Sequence, residues 1–217
     1  MKYIELYNSK KTYYIKTHLP PKDDSKSIYI VRDGRKASLS YFHFMKKFFP
    51  EAQRSLLEIL LGNDYYGEWT EHFFKWNPQK RENTLLLKYE DLLNNTKDEI
   101  YKIEKFLSIR RKKEWVNPFD KLQQKDSNFF RQGETAWNTS KEWSNFHENI
   151  FQVKHKNLME QLGYDYEINY ENKVSDKDIK EILSLYTKVN LEKNMYEIAA
   201  KERLELINKL DSMLKKK

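Results

Sequence analysis

Cysteine is absent from the 217 residues, which excludes disulfides and thiolate metal sites and fits a reducing compartment. Long apolar runs are also missing. No stretch approaches the roughly 18 apolar residues that a membrane span requires, and the opening MKYIELYNSKK has no hydrophobic signal-peptide core. The expectation is a soluble, cytoplasmic chain without a membrane span. Glycine and proline are scarce, at five each, and no low-complexity tract or internal repeat is present beyond the terminal Lys215-Lys216-Lys217. A block of one charge is lacking too. The net charge is +7, yet the 40 Lys and Arg are interleaved with 33 Asp and Glu. That pattern argues against a nucleic-acid partner and leaves two explanations, a biased composition or a positive cleft for an anionic ligand.

What is present is aromatic and globular: 39% hydrophobic residues, with 15 Tyr, 12 Phe and 5 Trp recurring at core-like spacing. Tyr13 to Lys16 reads as a short strand running into Thr17-His18-Leu19-Pro20-Pro21, where the prolines end any ladder. Ser27 to Val31 (SIYIV) is a compact β-branched run that predicts a buried strand, closed by Arg32-Asp33-Gly34-Arg35 and then a helix from about Lys36 to Phe48. Helices are expected over Ala52–Leu61 and Tyr66–Trp76. A second buried strand is expected at Thr84–Leu87, passing into Tyr89-Glu90-Asp91, and an amphipathic helix at Lys97–Leu107. Residues 117–143 read as loop. Phe146 to Leu162 reads as a helix stopped by Gly163, and the stretch from Ser175 onward as a helix or helical pair. That tail would make a poor core alone and reads as an arm or connector towards another domain or partner.

Strands that each run into a polar turn and a helix define an α/β domain with a largely parallel sheet. Ligands bind such sheets at the carboxyl ends of the strands. His18, Arg32 and Tyr89 each follow a predicted strand, so all three are expected on one rim. Arg32 and Ser40 could face an anion at the start of the intervening helix, where the helix dipole adds attraction. The alternative pairs Arg32 with Asp33 or Glu90 and turns Ser40 to solvent.

KTHLPP followed by YIVRDGRKASLSYFHF resembles the sulfotransferases that use 3′-phosphoadenosine 5′-phosphosulfate (PAPS). In that family a Lys-Thr-His-Leu-Pro segment precedes a strand ending in Arg-Asp-Pro-Arg and a helix with Ser-Tyr. Gly67-Glu68-Trp69 with His72 and Trp76 resembles a further helix of the family. LLLKYEDLLNNTKDEIYKIEKFL resembles its strand, Tyr-Glu-Asp turn and helix, and Phe130-Arg131-Gln132-Gly133 with Trp137 resembles its Arg-Lys-Gly loop. Each motif alone is weak, but five in the family's order are specific. The likeness runs from about Tyr13 to Tyr166.

The resemblance implies a P-loop-NTPase-like parallel sheet flanked by helices, incomplete at its N-terminus, with a C-terminal helical arm. It implies a partial sulfotransferase domain over residues 1–166 and a helical tail or connector over 167–217. It implies PAPS as sulfate donor, no metal, and a small-molecule or carbohydrate acceptor. Arg32 and Ser40 would bind the 3′-phosphate, Tyr89 would lie beside the adenine, and Arg131 with the backbone of Gly133 would close over the phosphate. His18 matches the catalytic base, and an imidazole with an ordinary pKa near 6.5 can take a proton at neutral pH. His72, Trp69 and Trp76 are expected to be structural.

Four departures accompany the likeness. The family's Pro-Lys-Ser-Gly-Thr-Thr-Trp loop, which cradles the 5′-phosphosulfate through backbone N–H groups, has no counterpart in these residues. A fragment, a degenerate relative or a chain completed by a partner would each account for that. Gln132 replaces a family Lys, and the Gly133-to-Trp137 spacing is one residue short. Gly34 replaces a turn proline, which is conservative but less rigid. A non-catalytic nucleotide-binding or interaction module derived from the same fold is the rival reading.

Overall fold

A computed structural model describes residues 11–64, 66–127, 141–164 and 176–214. Two parallel strands form the sheet: β1 (Ser27–Val31) and β2 (Thr84–Lys88), in register from Ser27 opposite Thr84 to Val31 opposite Lys88. Both strands therefore end at the same edge. Between them lie α1 (Gly34–Phe48), a 3₁₀ turn at Pro50–Ala52, the short α2 (Leu56–Leu60) and α3 (Trp69–Trp76). After β2 come α4 (Tyr89–Asn94), α5 (Thr96–Leu107), α6 (Phe119–Lys125), α7 (Asn145–Gln161) and α8 (Asp176–Leu214). Helices on a parallel sheet give the α/β class expected from the sequence.

The alternation of β1 explains the layering. Tyr29 and Val31 are buried on the face that packs against Phe73 and Trp76 of α3 and Leu158 of α7. Ile30, on the other face, is 53% exposed. A second apolar cluster joins α2 to α7 through Leu60, Phe151 and Met159, with Trp143 closing it. Burying a side chain of that size stabilises the fold by about 1.5–3 kcal/mol relative to leaving it in water. Helix α7 is set from both ends by local chemistry. Ser144 caps its start, accepting from the His147 N–H while the His147 ring returns to the Ser144 backbone. Gly163, at φ 66°, ends it: the Tyr164 N–H donates to Met159 O at 3.0 Å and the Gly163 N–H to Glu160 O at 2.9 Å.

Three expectations are corrected. Residues 13–16 form no strand; Tyr13, Tyr14 and Ile15 lie exposed in irregular chain. Their aromatic and β-branched character gives strand only where a neighbouring strand supplies packing. The stretch read as loop contains α6. The tail is one 39-residue helix over its described part, and it is not wholly detached. Ile182 and Leu185 pack on the Phe151 cluster, and Lys193 donates to Glu71 of α3 at 2.6 Å.

Candidate active site

The in-register strands bring Arg32 and Tyr89 together, because each is the first residue beyond its strand. The guanidinium carbon of Arg32 lies over the Tyr89 ring at 4.8 Å from its centroid. Its Nε is buried and, among the described residues, has no hydrogen-bond partner. A buried guanidinium N–H without an acceptor is costly in a finished interior. At the end of a strand it marks a place where an anion would be accepted.

The carboxylates that could have neutralised Arg32 are engaged elsewhere. Asp33 caps α1, accepting from the Arg35 N–H at 2.9 Å, and grips the Arg35 side chain through Nε at 3.1 Å and Nη2 at 2.7 Å. The N-terminus of α1 is thus capped from within, and an anion there depends on Arg32 more than on free helix N–H groups. Glu90 accepts from the Asp33 N–H at 3.2 Å through one oxygen and from the Tyr164 hydroxyl at 3.0 Å through the other. Burial, and then the Glu90 charge, push the Tyr164 hydroxyl far above the ordinary tyrosine range, so it remains a donor. Lys88 adds a second cation–π contact, with Nζ 4.9 Å from the Tyr164 ring centroid.

Gly34 begins α1, and its role is packing. A Cβ there would meet Phe151 Cζ at 2.7 Å and Trp69 Cδ2 at 2.7 Å. Backbone and aromatic layer touch directly, which fixes the turn that aims Arg32. Ser40 stands on the exposed side of α1, about 9 Å along the helix from Gly34.

His18 does not follow a strand, contrary to expectation. It sits in irregular chain with its ring 5.2 Å from that of Tyr66. Its carbonyl oxygen is 2.7 Å from His72 Nε2, and His72 Nδ1 is 2.9 Å from the Tyr29 hydroxyl on β1. Three residue steps along the chain, about 10 Å, separate Tyr29 from Arg32. Burial, and then the nearby Lys16 charge, hold the His18 imidazole below its usual 6.5. The ring is therefore neutral at pH 7 and able to accept a proton.

An open cavity of about 510 Å³ lies near the amino end of β1, lined by Tyr13, Ile15, Thr17, Leu19 and Trp76 among others. Neither His18 nor Arg32 lines it. Arg131 and Gly133 lie outside the described residues. No cluster of three or more His, Asp or Glu suited to a metal ion occurs among the described residues. No described helix is long and apolar enough to cross a membrane. The bonds from Asp33 and Tyr164 to Glu90 and the anchoring by His72 are not legible in the sequence, where the Tyr-Glu-Asp turn is the one available hint.

The α/β edge thus offers a buried, unpartnered guanidinium nitrogen over an aromatic ring, chemistry suited to an anion. The sulfotransferase domain model matches residues 1–178, and the chain belongs to that family. Sulfotransferase 1B1 of Mus musculus is 40% identical over 107 residues, covering 43% of this chain and 36% of that protein. The 3-alpha-hydroxysteroid sulfotransferase of Cavia porcellus is 36% identical over 113 residues, covering 48% of this chain and 39% of that protein. The chain thus spans less than half the length of these relatives. A mouse sulfotransferase solved in complex with PAP aligns with 64% of this chain and 57% of its own, at 20% identity and a TM-score of 0.36. The fold assignment rests on the parallel strands themselves.

Proposed function

We propose that this chain carries the 3′-phosphate-binding and proton-accepting parts of a PAPS-dependent sulfotransferase acting on an acceptor hydroxyl or amine. The observation that carries this reading is the buried, unpartnered Nε of Arg32 stacked on Tyr89. Those groups fit a nucleotide phosphate next to an aromatic base. Arg32 and Ser40 would hold the 3′-phosphate, Tyr89 would border the adenine, and Arg131 with Gly133 would close over the phosphate. His18 would take the acceptor proton while the acceptor oxygen or nitrogen bonds to sulfur. PAPS supplies the activated sulfuryl group, whose bond to the 5′-phosphate breaks to leave 3′-phosphoadenosine 5′-phosphate (PAP). Positioning and charge stabilisation dominate such transfers.

The acceptor is proposed to be a small molecule or a carbohydrate, the location cytoplasmic, and the chain divided into residues 1–166 and a helical tail over 167–217. Calorimetric titration with PAP tests the reading. Saturable binding is expected, and Arg32→Met should weaken it by roughly 10- to 150-fold, the value of hydrogen bonds to a charged group at about 1.5–3 kcal/mol. No binding at millimolar PAP would leave the non-catalytic module as the better description.

A further inference from the structure

A proton acceptor must be held to within a fraction of an ångström of its partner, yet His18 sits on chain without helix or strand. Among the described residues, few groups hold it. Its ring touches Tyr66. One turn beyond it is local: the Leu19 N–H donates to Thr17 Oγ1 at 3.0 Å. The tie to the scaffold is the His72 imidazole, at 2.7 Å from the His18 carbonyl oxygen.

The hydrogen positions follow from the partners. A carbonyl oxygen only accepts, so His72 Nε2 carries the proton. In the neutral ring Nδ1 is then the acceptor, and the Tyr29 hydroxyl donates to it at 2.9 Å. Tyr29 is buried in β1 and packs on Phe73 and Trp76, so the relay ends on the sheet. We propose that Tyr29 and His72 form a positioning relay that transmits the rigidity of β1 to the backbone of His18 and so sets the reach of the proton-accepting imidazole. His72 is a positioning residue here, acting through His18, and its role goes beyond the core packing expected from the sequence. The role of His18 itself rests on the reading proposed above.

Burial favours the uncharged form of both relay members. It raises the Tyr29 hydroxyl well above its usual range. It also lowers the His72 imidazole, with the His18 carbonyl contact opposing and the His18 and Lys75 charges reinforcing that shift. The relay therefore keeps one tautomer at neutral pH.

Two substitutions separate positioning from packing. His72→Leu fills similar space without a donor, while His72→Gln retains an N–H that can reach the His18 carbonyl. The carbonyl ¹³C resonance of His18 in isotopically labelled protein reads the bond directly and needs no turnover. The expected pattern is a shifted resonance and a lowered backbone order parameter at residue 18 in His72→Leu, with recovery in His72→Gln. Tyr29→Phe should produce a smaller change of the same sign. In an active preparation, kcat should fall about 10- to 100-fold in His72→Leu, with the KM for PAPS unchanged. An unchanged carbonyl resonance and order parameter in the Leu variant would overturn the relay, whatever the turnover. If the Leu variant does not fold, a His18 signal in Tyr29→Phe identical to that of wild type would overturn it equally. A kcat insensitive to His18→Ala would instead strike the base assignment and leave the relay standing as a structural fact.

Discussion

Arg32 leaves the end of a hydrogen-bonded strand, with α1 starting two residues later and Tyr89, the residue just past the neighbouring strand, beneath it. His18, by contrast, sits in irregular chain and meets the scaffold through its carbonyl and one ring contact. The proposed anion-facing half is built by sheet geometry, and the proposed proton-accepting half is suspended from a helix. Strand ends hold a side chain with little freedom, whereas a loop residue is only as precise as the contacts that reach it. The two halves should therefore fail differently.

The sharpest break is His18→Ala. Removing a general base commonly costs about 10²- to 10⁴-fold in rate. Turnover of an active preparation should fall in that range, while PAP affinity, governed by the other half, should stay within about twofold by calorimetry. Because burial and Lys16 lower the His18 pKa, the proton-accepting form persists below the ordinary histidine value. The acid limb of kcat/KM should accordingly fall below pH 6.5. A mutant with normal turnover, or one that loses PAP binding, would erase the division between the halves.

Gly34→Ala acts first on the proposed anion-facing half, at the turn beside Arg32. The new methyl would overlap Phe151 and Trp69 at 2.7 Å, and both are large side chains within a packed aromatic layer. Overpacking of this kind costs about 1–3 kcal/mol. A lower denaturant midpoint together with weaker PAP binding is expected, since the turn that aims Arg32 must shift. A variant equal to wild type in both respects would show that the turn is not held by this contact.

The strand-and-helix frame was readable because its signals are local. SIYIV and TLLL are apolar runs of strand length, and Gly163 stops α7 where a left-handed residue is needed. Arg32 and Tyr89 were readable as neighbours, because each follows a strand and parallel strands share an edge. The support for His18 was not. Its hydrogen bond to His72 spans 54 positions, and the bonds from Asp33 and Tyr164 to Glu90 span 57 and 74. Pairings that distant leave no periodicity or spacing to read. Residues 13–16 mislead for the complementary reason: they have strand character, yet no neighbour among the described residues pairs with them.

Acid supplies the gentlest way to sharpen the comparison, because it acts on the helix layer from which His18 hangs. His155 of α7 is buried between Phe151 and Trp69, at 4.6 Å and 5.9 Å between ring centroids, and its Nδ1 is 2.7 Å from the Thr70 hydroxyl of α3. Burial, and then the adjacent Lys154 charge, drop its pKa from 6.5 to about 3. Between those values the unfolded chain binds a proton that the folded chain refuses, so stability rises with pH across the window and is lost as pH falls from 6.5 towards 3. By pH 5 this group alone should remove about 2 kcal/mol. Urea unfolding at pH 7.5 and pH 5.0 reads the loss, and His155→Leu should reduce it by about that amount even if the variant is less stable at both values. An acid sensitivity unchanged by the substitution would place the weak point elsewhere and leave the α3–α7 contact, with the His72 it carries, as firm as the strand end that carries Arg32.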